Sequence, residues 1–217
     1  MSTPNHKARL VMELRGAGVT DTRVLSAIER APREIFVPSP FVDQAYASSP
    51  LPIGHGQTLS APSVVGMMTQ ALETGPRLKV LEVGTGSGYQ TLVLSRLCRR
   101  VYTIERHRQL LDEAEARFAT LRLHNITTRH GDGALGWPEQ APFDRIIVTA
   151  AASERPETLL GQLAVGGVMV IPIGGRGDDQ RLVRFKKEEQ GVVSADLGAV
   201  RFVPLVGGTL PERPGNN

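Results

Sequence analysis

The fold of this chain is decided by one stretch, Val80-Leu81-Glu82-Val83-Gly84-Thr85-Gly86-Ser87-Gly88-Tyr89, in which an apolar run enters a glycine-rich turn. The run lacks the alternation of a half-exposed strand, which indicates a strand buried on both faces. The glycines then let the backbone turn sharply and come close to a ligand. A helix is expected to begin near Ser87 and Gly88, and its unpaired N–H groups would form a polar, anion-tolerant pocket at the carboxyl end of the strand.

The spacing of the glycines separates two classes of nucleotide-binding turn. A dinucleotide site uses G-x-G-x-x-G, whose third glycine allows close packing of helix on strand. Here Gly88 comes one residue early and Tyr89 occupies the third slot. Glu82 would add a carboxylate inside the site, which suits a cationic ligand better than a pyrophosphate. The pattern therefore resembles motif I of the S-adenosylmethionine (SAM) methyltransferases, although a glycine-rich turn can also merely connect a strand to a helix.

Two acidic residues follow later predicted strands. A second buried strand, Val101 to Ile104, ends at Glu105, which at this distance from the glycine turn is placed to accept from two ribose hydroxyls. The alternative is an exposed carboxylate that starts the next helix. Asp132 and Gly133 follow a short third strand, where the Asp132 carboxylate could accept from an adenine amino group. Aspartate also suits simple turns, so a turn role stays open.

The segment from Leu51 to Pro62 is predicted to be a loop, and it is hard to explain as scaffold. It combines two glycines, a histidine and two hydroxyl residues next to a predicted helix. Ser60 is placed to cap that helix, with Pro62 in its first turn. Long loops in compact domains are more often functional than idle, so a catalytic role for Ser60 competes with the capping role.

Taken together, the elements predict an α/β fold, a Rossmann-like doubly wound and mostly parallel sheet with an N-terminal helical cover and antiparallel edge strands. The later strands are expected at Phe143–Ala150, Val168–Pro172, Gln180–Lys186 and Val200–Val206. A single domain over residues 1–217 is expected, divided as follows: cover and substrate loop 1–75, SAM-binding core 76–175, edge strands 176–210 and flexible tail 211–217.

Composition excludes several classes of protein. The 217 residues are 41% hydrophobic and 22% charged, which is ordinary for a globular domain. The single cysteine, Cys98, excludes an internal disulfide, and no long apolar span or secretory leader is recognisable. The net charge of +3 arises from basic residues scattered among nearly as many acids. We therefore expect a cytoplasmic protein, monomeric, with no metal and with neither nucleic acid nor a membrane as partner.

Several separated stretches resemble one family, the protein-L-isoaspartate O-methyltransferases, also called protein repair methyltransferases. The most specific of them is the run from Pro52 to Pro62, and the resemblance covers nearly the whole chain. The other matching stretches are Val24–Ala27, Pro32–Pro38, Leu81–Gln90, Arg129–Trp137, Pro142–Ala151 and Val200–Leu205. The chain departs from some members after Pro62, where it has Ser63-Val64-Val65 in place of histidines.

This resemblance implies SAM-dependent methylation of the free α-carboxylate of L-isoaspartyl residues in damaged proteins and peptides, followed by collapse of the ester to a succinimide. It implies that Ser60 is the active-site serine and that Gln57, Thr58 and Leu59 bind the substrate with it. The cofactor residues that it implies are Glu82, Gly84, Thr85, Gly86, Ser87, Gly88, Glu105, Asp132 and Gly133. Because an isoaspartyl carboxylate is already ionised at neutral pH, no strong general base is required.

Two other functions compete with this one. Base amino-methyltransferases carry an Asn or Asp, Pro, Pro, aromatic motif after the fourth strand, whereas this chain has Thr149-Ala150-Ala151-Ala152. Cytosine C5 enzymes need a Pro-Cys nucleophile, whereas Cys98 follows Leu97. The second competitor is a noncatalytic SAM-binding module, which would bind the cofactor without having a methyl acceptor.

Overall fold

The computed structural model describes residues 3–175 and 179–208, and the predicted tail at 211–217 lies outside them. The first part of the chain forms a helical cover. Its elements are α1 Thr3–Gly16, α2 Thr22–Glu29, β1 Leu51–Gly54, β2 Gln57–Leu59 and α3 Pro62–Ala71, with 3₁₀ turns at Arg33–Phe36 and Ser39–Gln44. Asp21 caps α2 by accepting from the Arg23 backbone N–H at 2.8 Å, and aspartate is among the residues favoured at this position of a helix.

The rest of the chain builds a seven-stranded sheet with helices packed against it. Its elements are β3 Lys79–Val83, α4 Tyr89–Ser95, β4 Arg100–Glu105, α5 Arg108–Thr120, β5 Ile126–His130, β6 Phe143–Val148, α6 Glu157–Gly161, β7 Leu163–Ile173, β8 Gln180–Glu188 and β9 Gly191–Val200. The strand order is β5-β4-β3-β6-β7-β8-β9. Pairing is parallel from β5 to β7 and antiparallel for β8 and β9, which confirms the predicted fold class.

The strand order reverses between β3 and β6, because β4 and β5 extend the sheet on one side and β7 extends it on the other. In doubly wound folds this switch point leaves a crevice at the carboxyl ends of the strands, where ligands bind. The glycine turn follows β3 directly, so the fold places it at this crevice. None of the helices in the two described ranges is long and apolar enough to cross a membrane.

The structure differs from the predicted elements at the N-terminal loop and at the second edge strand. The segment from Leu51 to Leu59 is an antiparallel hairpin instead of a loop. The second edge strand is Gly191–Val200, and the predicted strand at 200–206 is reduced to a single bridge between Ala151 and Pro204. The edge strand β9 is exposed along most of its length, so its sequence lacks the apolar alternation that would have revealed it.

The hairpin was missed because its turn uses unusual backbone conformations. Gly54, His55 and Gly56 all have positive φ, with values of 91°, 53° and 69°. Glycine adopts such angles with little strain, so Gly54 and Gly56 suit this turn. His55 is the one residue of the three with a side chain, and positive φ is uncommon for it. β7 also begins earlier than predicted, at Leu163 instead of Val168. Its pairing with β6 shifts register between the Phe143–Leu163 and Arg145–Val168 pairs, so the strand continues through the residues between them.

Glu82 forms a buried polar network between β3, β4 and α4. Its side chain is fully buried, and its Oε2 atom accepts from the hydroxyls of Thr91 and Thr103. The Thr103 hydroxyl also shares a 2.6 Å hydrogen bond with that of Thr85, whereas the Oε1 atom of Glu82 has no partner among the described residues. Burial raises the pKa of Glu82 from 4.5 to about 8, and the two threonine hydroxyls oppose this shift.

This raised pKa predicts a pH-dependent stability. Because the folded state holds the Glu82 proton more tightly than the unfolded state, its stabilising contribution is complete below pH 4.5 and is lost as the pH rises through about 8. Glu82→Gln stays neutral, so its free energy of unfolding should fall less between pH 5 and pH 8, by an amount on the order of a few kcal/mol. Urea unfolding at both pH values measures the difference.

The exposed Glu29 provides a matched control, since Glu29→Gln removes an equivalent titratable group from the surface of α2. It should keep the pH dependence of the parent protein. Equal pH dependence in the parent and in Glu82→Gln would contradict the assigned pKa of Glu82.

Candidate active site

A cavity of about 370 Å³ opens at the carboxyl ends of β3, β4 and β6. Its volume lies within the range of small-molecule sites. Its walls include the glycine turn with the end of β4, the hairpin of the N-terminal cover, and the segment 203–206 that follows β9. The fold thus brings together two sequence-predicted clusters that are about 25 residues apart along the chain.

The glycine turn is held in place by hydrogen bonds to residues at the ends of both neighbouring strands, β4 and β6. The Gly84 N–H donates to the Ile104 carbonyl at 2.9 Å, and the Thr149 hydroxyl donates to the Gly84 carbonyl at 2.7 Å. A Cβ atom on Gly84 would collide with that hydroxyl, so the close approach requires glycine. Of the predicted cofactor residues in the turn, those that line the cavity are Gly84, Thr85, Gly86 and Ser87.

Gly88 does not line the cavity, and it serves the packing of α4 instead. It is the N-cap of that helix with a φ of 89°. A Cβ atom there would lie 2.6 Å from the ring of Phe118 on α5. The glycine therefore sets the distance between α4 and α5 behind the turn.

Glu105 lines the cavity at the end of β4, and its side chain is buried. Its Oε2 atom accepts from the Gly86 N–H, and its Oε1 atom accepts from the N–H groups of Arg106 and His107, each at 2.9 Å. A carboxylate offers about four acceptor positions, so one remains for a ligand. The burial of Glu105 contradicts the alternative of an exposed carboxylate, and the side chain faces the cavity while it fixes the backbone that leads to α5.

Glu82 is not where the sequence predicts it. Its carboxylate points under α4 toward Thr91, and it does not line the cavity. The reason is the alternation of side chains along β3, which directs the next residue, Val83, to the cavity. The connection from Glu82 to the cavity runs through the hydroxyls of Thr103 and Thr85.

Asp132 takes the turn role that the sequence left open. Its Oδ1 atom accepts from the Ala134 N–H at 2.8 Å and caps the short 3₁₀ turn Gly133–Leu135. Its Oδ2 atom accepts from the Gly208 N–H at 2.6 Å. The carboxylate is therefore engaged with the backbone and does not line the cavity, whereas Gly133 does. The turn-forming role of aspartate accounts for this position.

The hairpin contributes all four of its predicted residues, Gln57, Thr58, Leu59 and Ser60, to the cavity wall. The capping role of Ser60 is wrong, because Ala61 is the N-cap of α3 and no side chain caps this helix. Pro62 occupies the first turn, and its rigid φ together with its missing N–H reduces the need for a cap. The Ser60 hydroxyl is thereby left for another use.

Sequence reasoning missed the histidines at the mouth of the cavity. His55 in the hairpin and His107 after β4 both line it, with ring centroids 5.4 Å apart. Burial lowers the pKa of His107; Glu105 opposes this shift and His55 adds to it. No motif marks either residue, and only the pairing of distant segments brings them together. Within residues 3–175 and 179–208, no group of three or more His, Cys, Asp or Glu side chains has the arrangement of a metal site.

Comparison with known proteins identifies close relatives over the full length. The chain is 63% identical over 215 residues to the protein-L-isoaspartate O-methyltransferase of Rhodospirillum centenum, covering 99% of this chain and 97% of the relative. It is 61% identical over 218 residues to the enzyme of the same name from Rhodospirillum rubrum, covering 99% and 100%.

Solved structures agree with these relatives. One protein-L-isoaspartate O-methyltransferase superposes with a TM-score of 0.83 at 29% identity, covering 93% of this chain and 66% of that longer chain. A putative member from Plasmodium falciparum, solved in complex with S-adenosyl-L-homocysteine, superposes with a TM-score of 0.78 at 27% identity, covering 93% and 98%. A sequence model of the protein-L-isoaspartate(D-aspartate) O-methyltransferases matches residues 5–210. The chain therefore belongs to the protein-L-isoaspartate(D-aspartate) O-methyltransferase family.

Proposed function

We propose that this chain transfers a methyl group from SAM to the free α-carboxylate of L-isoaspartyl residues in damaged proteins and so initiates their repair through a succinimide. The observation that carries the proposal is the cavity itself, which joins the glycine turn to the Ser60 hairpin. Family membership supplies the reaction, and the solved relative in complex with S-adenosyl-L-homocysteine supports SAM as the cofactor.

The residues of the cavity fit this cofactor. SAM supplies an electrophilic methyl group on its sulfonium. Glu105 keeps one acceptor position for a ribose hydroxyl, and the backbone of Gly84, Thr85 and Gly86 allows close approach because no Cβ atom shields the glycines. Ser87 and Gly133 complete the cofactor half of the wall. Glu82 acts on this half indirectly, by ordering Thr85 through Thr103.

The substrate half needs to orient a carboxylate that is already ionised. Ser60 donates a hydrogen bond to it, and Gln57, Thr58 and Leu59 form the wall against the flanking peptide. No general base is needed, because this carboxylate carries no proton at neutral pH. Holding the two reacting groups in the right orientation lowers the barrier by up to about 7 to 11 kcal/mol.

The isoaspartyl linkage is distinguished from a normal aspartyl residue by geometry, because both carboxylates are anions of similar pKa. The segment 203–206 lines the cavity, and Ala151 exchanges backbone hydrogen bonds with Val203 and Leu205 at 2.8 and 2.7 Å. This segment and the hairpin would hold the peptide by its main chain, as in strand addition, which tolerates many sequences. We further propose that the protein acts as a cytoplasmic monomer on isoaspartyl proteins and peptides, without nucleic acid or membrane partners.

The substrate preference can be tested with paired synthetic peptides that differ only in Asp or isoAsp at one site. The isoaspartyl peptide should acquire a base-labile methyl ester from labelled SAM. The aspartyl peptide should react at least about a hundredfold more slowly, since a misplacement of about 1 Å costs that much in rate. Comparable methylation of both peptides, or of neither, would contradict the proposed function.

Ser60→Ala tests the substrate contact. Because Ser60 does not cap α3, the thermal midpoint should change little, whereas kcat/KM for the isoaspartyl peptide should fall about tenfold or more with SAM affinity retained. Ser63→Ala removes a hydroxyl three residues further along, within the first turn of α3, and serves as the control. Full activity of the Ser60 variant would remove this residue from the site.

Glu105→Ala should weaken SAM binding about tenfold to a hundredfold, because a charge-assisted hydrogen bond contributes about 1.5 to 3 kcal/mol. The thermal midpoint should also fall, since the N–H groups of Gly86, Arg106 and His107 lose their acceptor. Calorimetry measures both quantities, with Glu115→Ala on the exposed face of α5 as the control. Unchanged SAM affinity in the Glu105 variant would refute the ribose contact.

A further inference from the structure

Arg33 is the largest side chain that the structure buries completely. It lies in the 3₁₀ turn Arg33–Phe36 of the N-terminal cover, outside the walls of the cavity. Within the described ranges, no carboxylate forms a salt bridge with it. Arginine keeps its charge in proteins, so a permanent positive charge is buried here without a counterion.

The contacts of Arg33 join the substrate hairpin to the rest of the protein. Its Nη2 atom donates to the Ser60 carbonyl at 2.7 Å, and its Nε atom donates to the Ala45 carbonyl at 2.7 Å. The guanidinium carbon lies 4.7 Å from the ring centroid of Tyr89, the first residue of α4 after the glycine turn. The Nη1 atom has no hydrogen-bond partner among the described residues.

Burial of an unpaired charge is costly, and packing alone does not require it. A neutral side chain of similar length would fill the same volume without this cost, although the carbonyls of Ser60 and Ala45 would then lose their donor. Burial lowers the pKa of Arg33, because removing the charged guanidinium from water is unfavourable. The neighbouring Tyr89 opposes this shift. A role that uses the charge would account for its presence.

We infer that Arg33 is a positioning residue that holds Ser60 by its carbonyl and makes the substrate end of the cavity favourable for an anionic carboxylate. The inference rests on the proposed function, in which Ser60 contacts the isoaspartyl α-carboxylate. The guanidinium is one hydrogen bond away from Ser60, and a buried charge acts over several ångströms because little water screens it. At the cofactor end, the cavity presents the opposite charge through Glu105.

A purely structural role makes a different prediction. If Arg33 only fastened the hairpin, its loss would displace Ser60 and weaken every peptide equally. If its charge acts on the substrate, its loss would weaken an anionic peptide much more than a neutral one of the same shape. An isoaspartyl peptide and its isoasparaginyl counterpart, which has a carboxamide in place of the α-carboxylate, form such a pair.

The experiment compares the affinities of both peptides for protein saturated with S-adenosyl-L-homocysteine, so that no turnover occurs. Arg33→Met should lower the affinity for the isoaspartyl peptide about tenfold or more and that for the isoasparaginyl peptide by less than about threefold. Affinity for SAM should stay within about threefold of the parent protein, since Arg33 does not line the cavity. Arg145→Met is the matched control, because Arg145 also donates to two backbone carbonyls, those of Glu73 and Asp144, and should leave both peptides unaffected.

Arg33→Lys keeps the charge and loses the planar fork, so it should retain the preference for the anionic peptide even where both affinities fall. If Arg33→Met does not fold, this variant alone tests whether the charge of Arg33 acts on the substrate carboxylate. Equal losses for the two peptides in Arg33→Met, no loss for either, or loss of the anionic preference in Arg33→Lys would overturn the inference. Failure of the parent protein to bind and methylate the isoaspartyl peptide would instead refute the proposed function, and this inference with it.

Discussion

The arrangement of the cavity depends on the hydrogen bond from the Gly86 N–H to the Glu105 carboxylate. β3 and β4 run parallel with Val83 opposite Ile104, so the glycine turn and Glu105 leave the sheet side by side. The N–H groups of Gly84 and Thr85 both point to the Ile104 carbonyl, at 2.9 and 3.3 Å. The Oε2 atom of Glu105 then accepts from the Gly86 N–H and so fixes the middle of the turn. Its Oε1 atom accepts from the N–H groups of Arg106 and His107 and so fixes the backbone that leads to α5. One acidic side chain thus shapes both walls of the cofactor half.

The substrate half is attached to this frame by arginines that donate to backbone carbonyls. Arg33 holds the Ser60 carbonyl from the N-terminal cover, and Arg117 on α5 donates to the carbonyls of Ile35 and Ser87 at 3.0 and 3.2 Å. Carbonyls that are satisfied in this way cost less to bury, and planar guanidinium groups bridge two of them at a time. The hairpin and the glycine turn are therefore linked by side chains that lie outside the cavity.

The sequence is sufficient to predict the parts of the fold that follow local rules. The buried run that ends at Gly84 and the cap at Asp21 are set by residues within a few positions of one another. The positions of Glu82 and Asp132 relative to the cavity are not, because the tertiary structure decides which face of β3 borders the cavity and which backbone groups lie near Asp132. Glu82 finds Thr91 and Thr103, and Asp132 finds the N–H groups of Ala134 and Gly208.

The edge strand β9, the His55–His107 pair and the Arg33–Ser60 contact could not be predicted from local sequence patterns either. β9 pairs along an exposed edge, where the sequence is free of the apolar pattern that marks a strand. The pairing of His55 with His107 and the contact of Arg33 with Ser60 join segments that have no fixed spacing in the chain. A sequence motif identifies the residues within it, whereas residues such as Arg33, which contact the motif from a distant segment, are identified only in the folded structure.

A crystal structure of the protein with S-adenosyl-L-homocysteine and an isoaspartyl peptide tests the central claim most directly. The account predicts that a ribose hydroxyl donates to Glu105 and that the isoaspartyl α-carboxylate accepts a hydrogen bond from Ser60 on the side of the cavity facing the cofactor sulfur. A cofactor bound in the cavity with the isoaspartyl carboxylate away from Ser60, or a ribose that does not touch Glu105, would contradict it.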